Sequence, residues 1–432
     1  METPHPSTRK TVFLNLGLFQ FLSFVRRGVF YTFMINYLYG LMQTVTFTAL
    51  LGSLNAVASM LGQNLLWGKI ADRYKLSAKL IIIGEPIAAA TYFVVYLVHR
   101  SLINSQANFA AGMSLIIGLS FLEFFWSMSD VGWAALLTNV TTNKTRGGIV
   151  GTLNFIASLG RMIGINFAGS LYNGGEGFRQ GTIFYIVITM LLTSATIMWA
   201  TSRSVKTSDA KADRTIERSK QEEPRTNQHK QTYNWFLISL IVIIIGAACI
   251  GQVFLLFLKL PKEIGGLNLS DPQMSLTLTA WTLGGMLTSL SCGWLADKIG
   301  RTKVLFIGMV LAIMTPLLYG IASDVLTLAM IYTLNGVSFW TVQTVGFAFA
   351  GDLIPEDRRG RLFSRYNAVM ALSWGPAGLL VGGPLADLQI RSGLSEHAAY
   401  ANTFYASSII VAVGTAIFVL KVARQKTKSP KS

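Results

Sequence analysis

The sequence predicts an all-α integral membrane protein: twelve transmembrane helices arranged as two pseudo-symmetric six-helix bundles. Three observations carry this expectation. Apolar residues make up 52% of the 432 and charged residues only 13%, about half the charged share of a soluble domain. The apolar residues gather in twelve runs of about 20, the length that crosses a bilayer as helix. A charged stretch divides these runs six and six, and a short polar motif occurs once in each set, about 225 residues apart, the pattern of a duplicated membrane bundle.

The first run, 11–40, follows Arg9 and Lys10 and continues without a small-residue cleavage site, so it reads as a retained helix rather than a signal peptide. The second, 44–68, closes on Gly68-Lys69-Ile70-Ala71-Asp72-Arg73-Tyr74-Lys75. Runs over 79–99, 109–138, 148–172 and 181–202 complete an N-terminal bundle spanning residues 1–201. Residues 202–232 are rich in Lys, Arg, Glu, Asp and Ser with almost nothing apolar, which predicts a flexible linker. The C-terminal bundle, residues 233–432, takes runs over 233–258, 274–296, 303–323, 325–350, 362–388 and 400–421. Between the second and third of these lies Gly293-Trp294-Leu295-Ala296-Asp297-Lys298-Ile299-Gly300-Arg301-Thr302-Lys303.

That motif resembles the signature loop of the major facilitator superfamily, Gly-x-Leu-Ala-Asp-[Arg/Lys]-x-Gly-Arg-x-[Arg/Lys], which joins the second and third helix of each half. The downstream copy matches at Gly293, Leu295, Ala296, Asp297, Lys298, Gly300, Arg301 and Lys303; the upstream copy keeps Gly68, Ala71, Asp72 and Arg73 but has Lys75 and Leu76 where the family has Gly and Arg. Gly118-Leu119-Ser120-Phe121 echoes Gly336-Val337-Ser338-Phe339, so the duplication runs beyond the loops. The resemblance implies alternating access by two rocking bundles, helices 1, 4, 7 and 10 around a cavity, and helices 5 and 11 at the contact between halves. Helix 5 departs from the Gly-x-x-x-Gly-Pro-x-x-Gly-Gly pattern of drug-exporting members, with Ile165 at the proline position and Ala168 for one glycine.

A net charge of +16 would suggest nucleic acid in a soluble chain, but here the basic residues lie where loops fall. With both termini in the cytoplasm, only Arg100, Arg179, Lys259, Lys262 and Arg391 fall outside, as the positive-inside rule requires. The charge then needs no nucleic-acid partner; it faces anionic lipid of the cell membrane. Cys249 and Cys292 lie in apolar runs without partner spacing and read as small core residues. His5, His99, His229 and His397 fall in tails, loops or helix ends, which argues against a buried histidine relay.

Ionisable residues inside hydrocarbon are costly and face a wet cavity or a partner. Five stand near mid-membrane: Arg26 and Arg27 in helix 1, Glu123 and Asp130 in helix 4, and Arg161 in helix 5. At about 1.5 Å per residue, Arg26, Arg161 and Glu123 all lie roughly 20–24 Å from the cytoplasmic side. Glu123 and Asp130, seven apart, share a helix face with Trp126 beside them. Two readings stay open: arginines that hold an anionic or polar solute beside a titrating carboxylate, or permanent interhelical ion pairs. Arg26 and Arg27 point about 100° apart, so one of them faces the cavity. The C half offers uncharged Gln252, Asn335, Trp340 and Gln343, as substrate contacts or as interhelical hydrogen bonds. Glu85 in helix 3 is expected at the periphery, paired with the nearby basic loop. In the signature loops, Asp72 and Asp297 can accept from a helix N-terminus and pair with Arg73 or Arg301, closing a gate that Gly68, Gly293 and Gly300 allow to pack.

No nucleotide-phosphate loop, metal cluster or hydrolase constellation occurs in the sequence. The expectation is therefore a monomeric secondary transporter, not an enzyme and without cofactor or metal, that moves a small anionic or polar solute with a proton or other coupling ion. A proton-coupled exporter of lipophilic compounds and a non-transporting membrane sensor are the competing readings.

Overall fold

The computed structural model describes residues 6–74, 76, 78–141, 146–205, 227–354 and 359–424. Among them every regular element is helical. Twelve helices run alternately up and down: α1 (6–42), α2 (45–74), α3 (Ala78–Asn104), α4 (Asn108–Val140), α5 (Arg146–Tyr172), α6 (Thr182–Val205), α7 (227–257), α8 (Asp271–Ile299), α9 (Arg301–Tyr319), α10 (Val325–Leu353), α11 (359–391) and α12 (396–423). Ten are long and apolar enough to cross a bilayer. The other two match them in length but are more polar: α1 carries Arg26 and Arg27, and α8 is rich in Thr, Ser and Gly. Large apolar side chains such as Phe121, Phe167, Leu287 and Ile409 are exposed, as a lipid-facing surface requires.

Several boundaries differ from the sequence expectation. α6 runs on to Val205 and α7 starts at Asn227, so helix occupies both ends of the expected 202–232 linker, while residues 206–226 lie outside the described residues. The first helix of each half is broken near one end, α1 after Tyr31 and α7 after Ala248. At each break a side chain bonds back to the carbonyl four or three residues earlier, Thr32 to Gly28 at 2.5 Å and Cys249 to Gly246 at 3.1 Å. Such back-bonding bends helices. The α3 helix extends five residues past its expected end, to Asn104.

Close backbone crossings fix the bundles. A Cβ on Gly164 of α5 would stand 2.2 Å from the Val25 carbonyl, and one on Gly28 of α1 2.8 Å from the Arg161 carbonyl; only glycine lets α1 and α5 approach this closely. In the C half, Gly284 of α8 and Gly336 of α10 play the same part. Between halves, α5 packs on α8 and α2 packs on α11, so helices 5 and 11 do lie at the contact, each with its partner from the other half.

Every hydrogen bond that joins the halves among the described residues lies from the middle of the bundle to the end opposite the termini. Near the middle, Ser53 Oγ donates to the Gly375 carbonyl at 3.1 Å and Asn166 Nδ2 to Thr279 Oγ1 at 3.0 Å. At the far end, Asn36 Nδ2 donates to the Leu255 carbonyl, Tyr39 to Glu396, and the backbone N–H groups of Val45 and Thr46 to Asp387. Among the described residues, the hydrogen bonds between halves thus tie the bundle together at that end.

Candidate functional site

Arg26 and Arg27 leave α1 in different directions, as helical geometry demands. Arg26 is 2% exposed, with its Nε and Nη2 lacking protein acceptors. Arg27 faces the space between the halves, where its Nη2 lies 3.6 Å from Asp130 Oδ1, with 35% and 39% of the two side chains exposed. The buried Trp126 ring stands between them, each guanidinium carbon 4.3 Å from the indole centroid. Cation–π attraction and the Asp130 carboxylate thus hold two like charges close together.

Glu85 belongs to this cluster. It is buried and accepts the Trp126 indole N–H through Oε1 at 2.8 Å, the same ring that Arg26 stands over. The peripheral placement expected for it is wrong: side chains from α3 and α4 bridge the difference in depth that counting residues along each helix suggested. Arg26, Glu85 and Trp126 form a buried structural core, whereas Arg27, Asp130 and Glu123 are accessible.

Glu123 is partly exposed and makes no ion pair with a described residue within 4.0 Å, although Arg27, Asp130 and Arg26 act on it electrostatically. Arg161 is exposed to the same space; its guanidinium carbon lies 5.6 Å from the ring centroid of Trp281 on α8 of the other half. No described carboxylate lies within ion-pair distance of Arg161.

Across from these charges the C half presents an aromatic pocket whose lining includes Trp281, Asn335, Phe339, Gln343 and Trp374. Phe339 stands 5.2 Å from Trp281 and 5.0 Å from Trp374. Asn335 is committed within the protein, accepting from Trp281 Nε1 at 3.2 Å and donating to Thr315 at 3.2 Å. Gln343 Oε1 has no donor. Trp340 packs on Gly285 of α8 beside the pocket. Gln252 instead sits against Gly52 and Gly378, where α2, α7 and α11 meet. Sequence reading missed Trp281 and Trp374 because helices 8 and 11 were not assigned to the cavity; the available signal was large aromatic residues in two glycine-rich helices.

The remaining expectations are resolved locally. His99, expected at a helix end, is buried, with Nε2 2.8 Å from the Tyr37 hydroxyl and Nδ1 3.3 Å from the Ala111 carbonyl oxygen, because α3 continues beyond it. In the downstream signature loop, Gly300 has φ +97°, which lets α8 turn directly into α9. Arg301 pairs with Asp352 at the end of α10 and donates to the Ala348 carbonyl at 3.0 Å. Asp297 is 76% exposed at the side chain and reaches only Arg301, at 3.9 Å. Among the described residues the loop therefore ties α8, α9 and α10 within one half and makes no polar contact with the other, and a Cβ at Gly293 would meet nothing within 4 Å. Gly68 lies within its own helix against the Gln63 carbonyl, Arg73 lies 5.5 Å from the Tyr74 ring centroid, and the Asp72 side chain lies outside the described residues.

The comparisons with known proteins agree with this architecture. The family model described as Major Facilitator Superfamily matches residues 16–266 and 241–432. Multidrug resistance protein 2 of Bacillus subtilis is 24% identical over 198 residues, 45% of each chain. Facilitated glucose transporter protein 1 of Caenorhabditis elegans is 30% identical over 115 residues, 26% of this chain and 22% of that one. The match spans less than half the length of these curated relatives. Among solved structures, a bacterial homologue of the human lysosomal transporter Spinster superposes with a TM-score of 0.71 at 14% identity, covering all of both chains. A mutant of the nucleoside transporter NupG gives 0.68 at 14%, covering 94% of this chain and all of that one. With two six-helix halves, the duplicated signature loop and a family model that matches nearly its whole length, this chain belongs to the major facilitator superfamily.

Proposed function

We propose that the protein is a proton-coupled secondary transporter that moves a small anionic or polar solute by alternating access. The observation that carries this reading is the set Arg27, Asp130, Glu123 and Arg161, partly or fully exposed side chains that the fold brings together between the halves. An anion entering the space between them is drawn by Arg161 and Arg27, and its negative charge weakens the hold of Arg27 on Asp130. Asp130 then gains affinity for a proton, and Glu123 on the same helix is a second acceptor. Solute and proton occupancy are thereby linked through the arginines. The basic loops support a cytoplasmic side for the termini, so an opening at that end would face inward. The protein is thus a multi-pass component of the cell membrane whose energy comes from an ion gradient, with Gln252 and Asn335 as structural contacts and Gln343 and Trp340 on the solute side.

The aromatic pocket, together with relatives named as multidrug resistance proteins, supports a second reading: an exporter of lipophilic compounds. Uptake into proteoliposomes with and without an imposed pH gradient tests the proposal. Accumulation of an organic anion that collapses with the gradient supports it. Gradient-driven movement of lipophilic cations favours the second reading, and absence of any flux from folded protein leaves a membrane sensor.

A further inference from the structure

We propose that the solute is a small aromatic monoanion, its carboxylate on Arg161 and its ring in the pocket of Trp281, Phe339 and Trp374. This rests on the anion-transporter reading and deepens it. Arg27 is already engaged by Asp130, whereas Arg161 has no described counter-ion and stands over the ring of Trp281, which lines the pocket. An unneutralised guanidinium in a membrane cavity draws an anion and repels a cation. With one arginine free and the other occupied, a single carboxylate satisfies the site.

Beyond Arg161 the site turns apolar. Phe339 at 5.2 Å from Trp281 and 5.0 Å from Trp374 leaves flat aromatic faces and edges, the surroundings in which another ring gains offset or edge-to-face contacts. Branched or strongly hydrated solutes gain nothing there. Gln343 Oε1, in the pocket and without a donor, accepts a hydrogen bond from a ring hydroxyl or amino group, which explains a polar acceptor among indoles.

Isothermal titration of the purified full-length protein with hydroxynaphthoate, naphthoate, hexanoate and naphthylmethylammonium tests this, with the melting curve of each variant recorded. Saturable binding of hydroxynaphthoate is expected, weakened at least about tenfold by Arg161→Gln and by Trp374→Ala. Gln343→Leu should weaken hydroxynaphthoate but not naphthoate. Trp374 is half exposed, so its removal does not empty a core and that arm holds even if Arg161→Gln folds poorly. Hexanoate binding as tightly as naphthoate, with Trp374→Ala silent, overturns the aromatic assignment and leaves the anion transporter standing. Preference for naphthylmethylammonium, with Arg161→Gln silent, overturns both. Folded protein that binds none of the four also overturns the assignment.

Discussion

Asp387 Oδ2 accepts the backbone N–H of Thr46 at 2.9 Å, and this contact spans the two halves of the molecule. The other oxygen accepts from Val45 at the same distance. Asp387, near the end of α11, is in effect the N-cap of α2, whose own capping position, Thr44, makes no side-chain cap. Free N–H groups and the helix dipole at an N-terminus favour an anion there, so the seal at this end is bound up with the integrity of a helix.

Asp387→Ala should therefore populate a conformation opened at this end. Each hydrogen bond to a charged acceptor is worth about 1.5–3 kcal/mol, enough to shift a two-state equilibrium by tenfold or more. Spin labels at Ser105 and Ser392, exposed loop positions on opposite halves, should gain a longer-distance population. Asp387→Asn keeps one acceptor oxygen and should fall between. An unchanged distance distribution in Asp387→Ala refutes the gating role.

The downstream signature loop makes a different prediction. Arg301 is tied to Asp352 and Ala348, while Asp297 is exposed and only loosely paired. Surface ion pairs contribute about 0–1 kcal/mol, so Asp297→Asn should leave melting nearly unchanged yet slow transport, because Asp297 has its task in the conformation where this end closes. Asp352→Ala should cost more stability by freeing Arg301. A large loss of melting temperature in Asp297→Asn, or loss of solute binding, would contradict this.

A third prediction concerns Glu85. The side chain is buried and accepts the indole N–H of Trp126, the ring that Arg26 stands over. Glu85→Ala should destabilise the protein by about 1–3 kcal/mol, for the buried Trp126 donor it leaves unsatisfied, and Trp126→Phe by a comparable amount for one unsatisfied acceptor. Unfolding in mixed detergent measures both. A Glu85→Ala protein as stable as its parent removes Glu85 from the structural core.

The two-fold bundle architecture was legible because it rests on run length, charge placement and a repeated loop, all of which survive projection onto a line. So were Arg27, Glu123, Asp130 and Arg161, since a charge in hydrocarbon stands out against its neighbours. Glu85 was misplaced because depth along one helix ignores the reach of side chains and the uneven levels of helix ends. Trp281 and Trp374 were passed over because an aromatic residue in an apolar helix carries no local signal; only the meeting of α8, α10 and α11 makes them a pocket. The Asp387 cap was invisible for the same reason, its partner being backbone 341 residues away.

Glu123 supplies the last prediction, since it shares the region of Arg27 and Asp130 yet makes no ion pair of its own with a described residue. A partly exposed carboxylate without a dedicated partner can lose its charge at little structural cost, in contrast to Glu85. Glu123→Gln should thus shift the melting temperature by only a degree or two, on the order of ±0.5 kcal/mol. It should retain solute exchange, because Arg27 and Arg161 remain, and lose accumulation driven by a pH gradient. Asp130→Asn should behave differently: with Arg27 released, anion affinity should rise while gradient-driven transport falls. Counterflow and pH-driven uptake, run in the same proteoliposomes, separate the two effects. If Glu123→Gln accumulates solute normally under a pH gradient, the coupling role passes to Asp130 alone; if it neither exchanges nor melts normally, Glu123 is part of the structural core with Glu85.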